Sequence, residues 1–421
     1  MNKMSKRILM VMFVSLFASG LFLHFGDASV LGGDALTGSV SDGSVVNENE
    51  IEIIIPSKYS LIEEGYATPV KNQYMGTCWA CAATISMESS YKVRYGEVID
   101  IDPVEIVDMV YVDDAVEGCK LEKRNDKYDF GGDFLQVVMY TSGGIGDYYL
   151  IEAECYDPTD MDNIKRSIMT LGGMCIDIND AWNSRYGVFE GYKTLNNPVA
   201  DYDHAVVIVG WDDDFPKEYF KLQPSVDGAW LAQNTRGDKW GNDGYFWISY
   251  ETPLAECYIL QLSDDYSDVL YYDMGHYNTL ETTETITLAN VFHGEGVLKK
   301  VGTYTEIPDQ KLVIDIYDEG LENVLFSQEV TYKNPGYHTT PLSAPMSVKD
   351  YAIAITYYGN APVEGMTWID DVWGISFLGV CNPGESFVLI DGEWIDMADA
   401  EAMIKLGIEY EPNNCCIKAI Y

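Results

Sequence analysis

The sequence predicts an α+β unit, a helical half followed by a sheet half, with an all-β sandwich after it. Three observations predict this. Capped helical segments are confined to the stretch from Cys78 to Leu171. Short runs rich in β-branched and aromatic residues, bounded by Gly or polar residues, then take over, and from about Tyr258 the chain reads almost entirely as strand. At 421 residues the chain exceeds one ordinary core and suits two domains with tails.

Taken in order, Lys3, Lys6 and Arg7 precede an apolar run from Ile8 to Phe25, and Gly26-Asp27-Ala28 supplies the small residues of a cleavage site. Residues 1–28 are therefore expected to be a signal peptide of a secreted or cell-surface protein. The run is also close to the roughly 20 residues that span a bilayer, which leaves a retained anchor open. Residues 29–50, rich in Gly, Ser, Asp and Asn, read as a flexible lead-in, with order beginning near Ile51. A helix runs from Cys78 to Tyr95 with Gly96 as its cap, and Asp102-Pro103 reads as an N-cap with proline at the first helical position. A third helix fits Gln136 to Tyr140 and a fourth Met161 to Leu171. The strands "GGMCIDI", "HAVVIVGW", "GAWLAQN" and "GYFWISY" follow, and a cleft between the two halves is the natural place for a site. Further on, "KLVIDIY" puts Leu312, Ile314 and Ile316 on one face, "YAIAITYYG" alternates large and small, and Asp391-Gly392 is a hairpin turn in "SFVLIDGEWI". The expected domains are 51–257 and 258–421.

Asp and Glu number 67 against 26 Lys and Arg, a net charge of −41. Such a surface repels phosphate backbones, which argues against nucleic acid as a partner, and suits the solvated exterior of an exported protein. Nine cysteines make an odd number, so at least one thiol is free or pairs between molecules, and their spacing defines no disulfide framework.

The segment "GTCWAC" (76–81) offers two incompatible chemistries, a redox dithiol or a lone nucleophile at Cys78. A helix N-terminus acidifies a thiol in either case. A redox site, however, follows a buried strand, whereas "TPVKNQYMGT" before Cys78 is polar and turn-prone, and no second Cys or His pair with ligand spacing makes a zinc site. The nucleophile needs a base. Of five histidines, His24 lies in the signal and His276, His293 and His338 in the strand domain, which leaves His204. Neither G-x-S-x-G nor H-E-x-x-H occurs.

These residues resemble the papain-like cysteine peptidases. "TPVKNQYMGTCWAC" is similar to that family's nucleophile segment, "DHAVVIVGW" to its histidine strand and "WLAQNTRGDKWGNDGYFWISY" to its asparagine loop, at separations close to the roughly 130–150 residues usual in the family. "GGDFLQVVMYTSGGI" and "IKRSIMTLGGMCIDI" are similar to intervening segments, so the resemblance covers about 52–256. It implies a two-lobed fold, a helical lobe against a β-barrel lobe, and a cofactor-free, metal-free hydrolysis of peptide bonds in protein or peptide substrates. The roles it implies are Cys78 as nucleophile, His204 as general acid and base, Asn234 as the residue orienting the ring, and Gln73 with the Cys78 backbone N–H as oxyanion hole. Gly131, Gly132, Asp203, Ala205 and Trp240 are expected along the substrate cleft. The helix dipole together with the imidazolium is expected to hold Cys78 as thiolate.

The chain departs from that family in three places. Gln73 stands one residue closer to Cys78 than is usual. Thr235-Arg236 replaces Ser-Trp after the asparagine, and the guanidinium is expected to disfavour the imidazolium. Cys81 occupies a place usually aromatic and is expected to be a small buried residue. The second domain resembles the lectin-like domain that follows such catalytic domains in bacterial exported proteins, through "GYHTTPLSAPMSV", "PGESFVLIDGEWIDM" and "CCIKAIY". A glycan or cell-surface ligand is its implied partner, although Trp368, Trp373 and Trp394 are expected in the core. The readings are thus an exported cysteine endopeptidase with a targeting module or, if the departures silence the site, an adhesion protein on a degenerate peptidase fold.

Overall fold

In a computed structural model the chain is described over residues 54–112, 118–122, 125–180, 185–266, 268–364, 368–370, 374–405 and 414–421. The expected signal peptide, the lead-in, Trp373 and the side chain of Trp368 lie outside the described residues. The first helix, α1 (Cys78–Tyr95), is buried continuously from Trp79 to Tyr91, so its Ala, Ser and Thr residues admit close neighbours on every side. It stops where Gly96 turns left-handed at φ 73°, donating its N–H to Lys92, and Lys92 and Arg94 complement the dipole at that end. Helix α2 (Pro103–Val110) starts from Asp102, whose carboxylate accepts the Val104 N–H. Helix α3 (Phe134–Thr141) begins ahead of the expected Gln136, because Asp133 and Gln136 close a capping box. Helix α4 spans Met161–Leu171 as expected, and the Asp160 side chain accepts the Asn163 N–H at its start.

The strands of the first half are β1 (Lys58–Ser60), β2 (Gly118–Leu121), β3 (Tyr149–Tyr156), β4 (Met174–Ile178), β5 (Tyr186–Phe189), β6 (Tyr192–Leu195), β7 (His204–Asp212), β8 (Ala229–Gln233), β9 (Tyr245–Ser249) and β10 (Ala255–Ser263). β7 lies between β4 and β8, both antiparallel to it; β9 pairs with β8 and, in parallel, with β6. β10 then returns to pair with both β4 and β3. α1 packs across β7 and β10, so the helical half lies against the sheet half along the line where α1 and β7 begin.

The second half contains β11 (Val269–Leu270), β12 (His276–Leu280), β13 (Thr285–Thr305), β14 (Gln310–Asp318), β15 (Val324–Tyr332), β16 (Gly336–Tyr358), β17 (Ala361–Glu364), β18 (Trp368–Asp370), β19 (Ile375–Leu378), β20 (Ser386–Ile390), β21 (Glu393–Asp396) and β22 (Ile417–Ile420). β13 and β16 are far longer than the short strands expected and pair along most of their length, with irregularities at Phe292/Glu295 and Leu298/Lys300 that allow a long pair to bend around a core. Leu312, Ile314 and Ile316 point into that core with Ile353, Ile355 and Ile417. Asp391 and Gly392, at φ 51° and 84°, make the β20–β21 turn. Trp394 is half-buried against the Ala289 and Val291 cluster.

The expected boundary at 257/258 falls inside β10, and the halves share sheet: β16 adds to β3 over Gly336–His338, and β19 pairs with β2. No helix among the described residues is long and apolar enough to cross a membrane.

Candidate active site

Cys78 is the first residue of α1 and His204 the first of β7, so the two chain segments expected to carry nucleophile and base begin at the same edge. Both line one cleft of about 540 Å³ with Gln73, Trp79, Gly131, Gly132, Asp177, Asp180, Asp203, Ala205 and Arg236. Asn234 follows β8 directly and is fully buried. Its Oδ1 accepts the Thr235 N–H at 2.7 Å and lies 3.0 Å from Nε2 of His204. An oxygen that already accepts calls for a donor, so Nε2 of the ring carries the proton and Nδ1 is left to exchange one.

Burial is the largest effect on both members of the pair. It pushes the Cys78 thiol above its ordinary value, against backbone N–H groups of Ala205, Trp79 and Cys78 itself. It pushes the His204 ring below its ordinary value, against Asp180 and the Asn234 hydrogen bond. The expectation that the helix dipole and the imidazolium together hold Cys78 as thiolate thus meets an opposing effect, because burial makes either charge costly on its own.

Gln73 is held on both sides of its amide. Nε2 donates to the Met75 carbonyl at 2.7 Å, and Oε1 accepts from the Thr235 hydroxyl at 2.6 Å. The segment is tied to the asparagine loop by Gln73 N–H to Thr235 O at 2.7 Å and by Gly237 N–H to Lys71 O at 2.9 Å. The shortened loop accommodates this with Met75 left-handed at φ 52°, a strain of order 1–2 kcal/mol for a non-glycine residue. The second hydrogen of that amide is not used by either bond, and Gln73 lines the cleft.

The two glycines are explained by the protein itself. Gly131 sits at φ 92°, and a Cβ on Gly132 would come within 2.5 Å of the Trp79 ring. Asp203, exposed at the rim, accepts the Asp180 N–H at 2.6 Å. Trp240 does not line the cleft; it stands behind Arg236, whose Cζ lies 5.9 Å from the indole centroid, with Lys193 at 4.4 Å. Arg236 itself is ion-paired with Asp180, whose side chain is 3% exposed. The guanidinium beside His204 is thus not an unopposed charge. Arg236 does lower the ring's value, the direction expected of a guanidinium there, and Asp180, the larger influence, opposes it. Sequence reasoning missed Asp177, Asp180 and Thr235, because none has a spacing signal and each acquires its place from β4 or the β8–β9 loop.

Cys81 is buried, with its thiol pushed up to about 12 by burial. All nine cysteines are free thiols. Among the described residues, Glu152, Glu154 and His338 are the group whose polar atoms cluster closely enough for a metal, within 4.8 Å. The ring nitrogens of His338 are already matched to Glu152 and to the Thr305 hydroxyl, so the cluster is accounted for without an ion.

The chain matches the Papain family cysteine protease model over residues 144–263, which include His204 and Asn234, and the Lectin like domain model over 269–421. It is 24% identical over 207 residues to a viral cathepsin of Heliothis zea nuclear polyhedrosis virus, covering 46% of this chain and 52% of that protein. To procathepsin L of Rattus norvegicus it is 26% identical over 219 residues, covering 46% and 60%. The chain thus spans little more than half the length of these curated relatives. The cysteine protease and lectin-like domains of Cwp84, a surface layer associated protein of Clostridium difficile, superpose with a TM-score of 0.71 over 87% of this chain and 89% of that one, at 19% identity. The fold is therefore a papain-like catalytic fold joined to a lectin-like domain.

Proposed function

We propose that this chain, a papain-family fold with a lectin-like domain attached, is an exported cysteine endopeptidase. The observation that carries the reading is the 3.0 Å His204 to Asn234 hydrogen bond at the wall of the cleft that also holds Cys78. In this reading Cys78 gives its proton to Nδ1 of His204, and the thiolate attacks the scissile carbonyl. The free N–H of Gln73 and the Cys78 backbone N–H bind the oxyanion, each worth of order 3 kcal/mol. His204 protonates the leaving amine, then takes a proton from the water that releases the acyl group. Asn234 fixes ring plane and tautomer throughout.

With Asp180 paired to Arg236 and Asp177 raised to about 7, Asp129 and Asp203 still leave the cleft acidic, so peptides with a lysine or arginine beside the scissile bond should be favoured, with a preference that weakens as salt is raised. The lectin-like domain is read as the part that holds the enzyme to a glycan or surface ligand, in keeping with the surface association of the clostridial relative. The alternative of a degenerate, purely adhesive protein rested on Arg236 and the short glutamine loop. Asp180 and the Thr235 to Gln73 bond supply compensation for both.

The test is alkylation by a neutral thiol-directed electrophile together with a peptide-library cleavage assay. Stoichiometric labelling of Cys78 that disappears in His204→Ala, and cleavage that disappears in Cys78→Ala, are expected. A Cys78 no more reactive than a surface thiol would return the adhesive reading.

A further inference from the structure

The residue after the Asn234-Thr235 pair is Arg236, and the structure gives it a partner. Nη2 of Arg236 meets Oδ2 of Asp180. Asp180 lies just beyond β4, whose last residue Ile178 stands opposite His204 in the sheet, and its N–H is tied at 2.6 Å to Asp203, the neighbour of His204. Arg236 is held from its other side by the Trp240 face and by the bridge between Asn72 and Arg236. Carboxylate and guanidinium both open on the cleft that contains Cys78 and His204. They are opposite charges anchored to different elements beside the same ring.

We infer that Asp180 is a positioning residue of the proposed peptidase: clamped by Arg236, it sets the charge balance felt by His204 beside the histidine–asparagine bond. The inference rests on the reading of Cys78 and His204 as nucleophile and base. The charged and titratable groups around the ring and its carboxylate are Cys78 from α1, Asp177 and Asp180 from β4 and its continuation, Tyr186 of β5 against Asp180, Asp203 ahead of β7, and Arg236 after β8, with Lys193 of β6 beyond Trp240. Of these, Asp180 and Arg236 are the two that neutralise one another. Together they give the ring the polar support that its burial requires. Apart, each biases both members of the catalytic pair in one direction.

That bias has a sign no merely structural role reproduces. Asp180→Asn leaves Arg236 unopposed, which favours thiolate and disfavours imidazolium, so both limbs of the pH profile of kcat/KM should move to lower pH by about one unit. Arg236→Gln leaves Asp180 unopposed, and both limbs should move to higher pH by a similar amount. The double variant should return towards wild type, and Arg236→Lys, which keeps the charge, should leave the limbs in place. Profiles are measured on a peptide with uncharged side chains and, independently of substrate, as the pH dependence of Cys78 alkylation. Limbs that stay put while kcat/KM falls, or single variants that shift the same way, overturn the inference. If Asp180→Asn does not fold, Arg236→Gln against Arg236→Lys makes the same comparison. A wild-type Cys78 with ordinary thiol reactivity overturns the peptidase reading and this inference together, whereas a reactive Cys78 with immobile limbs overturns this inference alone.

Discussion

The two cysteines of "GTCWAC" sit three positions apart on one helix, yet their surroundings separate them chemically. Cys78 opens on the cleft, whereas Cys81 is buried within the continuous packed face of α1, and its thiol is pushed up to about 12. A thiol with that value has almost no thiolate near neutral pH and cannot resolve a mixed disulfide at a useful rate. Cys81→Ala should therefore keep Cys78 alkylation within about twofold of wild type and cost about 1 kcal/mol in chemical denaturation, the scale of one small lost side-chain contact; a tenfold loss of Cys78 reactivity would reinstate a redox partnership. Gly132 makes the complementary case. Because a methyl group there would run into the ring of Trp79, the residue directly after Cys78, Gly132→Ala should lower turnover at least tenfold and stability by about 1–3 kcal/mol. Unchanged kinetics in that variant would mean that Trp79 moves aside freely. At this scale the sequence discloses a residue when it lies in a patterned segment, as Cys78, His204 and Asn234 do. It conceals Asp180, whose meaning depends wholly on a partner some fifty positions away.

Elements were legible where their ends carry their own chemistry. Gly96, Asp102-Pro103 and Asp160 mark helix termini through groups that satisfy local backbone donors and acceptors, and the observed helices stop and start there. β3 carried no such signal: Tyr149, Leu150, Ile151, Ala153 and Tyr156 are buried on both faces, so no alternation distinguishes it. The lengths of β13 and β16 were equally hidden, because bulges keep a strand continuous where turn-like composition suggests a break. Three elements also converge on a pH-dependent property. Asp177 of β4, Asp133 at the α3 cap and Glu256 of β10 form a buried acidic group, with Asp177 raised to about 7 by burial and by Asp133 and Asp203, and Glu256 raised for similar reasons. Each native value lies above the unfolded one, so the native state retains protons that the unfolded chain has released. Stability from this group is thus greatest below about pH 4 and declines as pH rises towards 7. Asp177→Asn should flatten that slope and stabilise the protein at pH 8 by about 2–3 kcal/mol, allowing for its partial exposure to the cleft. Parallel stability curves for the two proteins between pH 4 and 8 would contradict the assignment.

Across the whole molecule, composition and motif order point to two domains, but the sheet does not respect the expected division. β3 pairs with β10 of its own half and with β16 of the other, so its residues 152–154 have hydrogen-bonded neighbours on both sides. A linker between independent domains would leave an edge strand there, open to unwanted pairing; β16 covers it. The register depends on Gly336, at φ 137°, where a Cβ would overlap the Ala153 carbonyl oxygen, and beyond it His338 is buried against Glu152. No sequence pattern announces such a junction, since Glu152 and His338 lie 186 positions apart in the chain. Residues 57–421 should accordingly unfold as one cooperative body in calorimetry. Gly336→Val should detach β16 from β3, lower the midpoint by several degrees, and either split the transition in two or expose the segment between Ser263 and Val269 to protease. If the wild type already melts in two steps, or if the variant melts like the wild type, the shared strand does not couple the halves and the lectin-like domain is carried as an independent attachment.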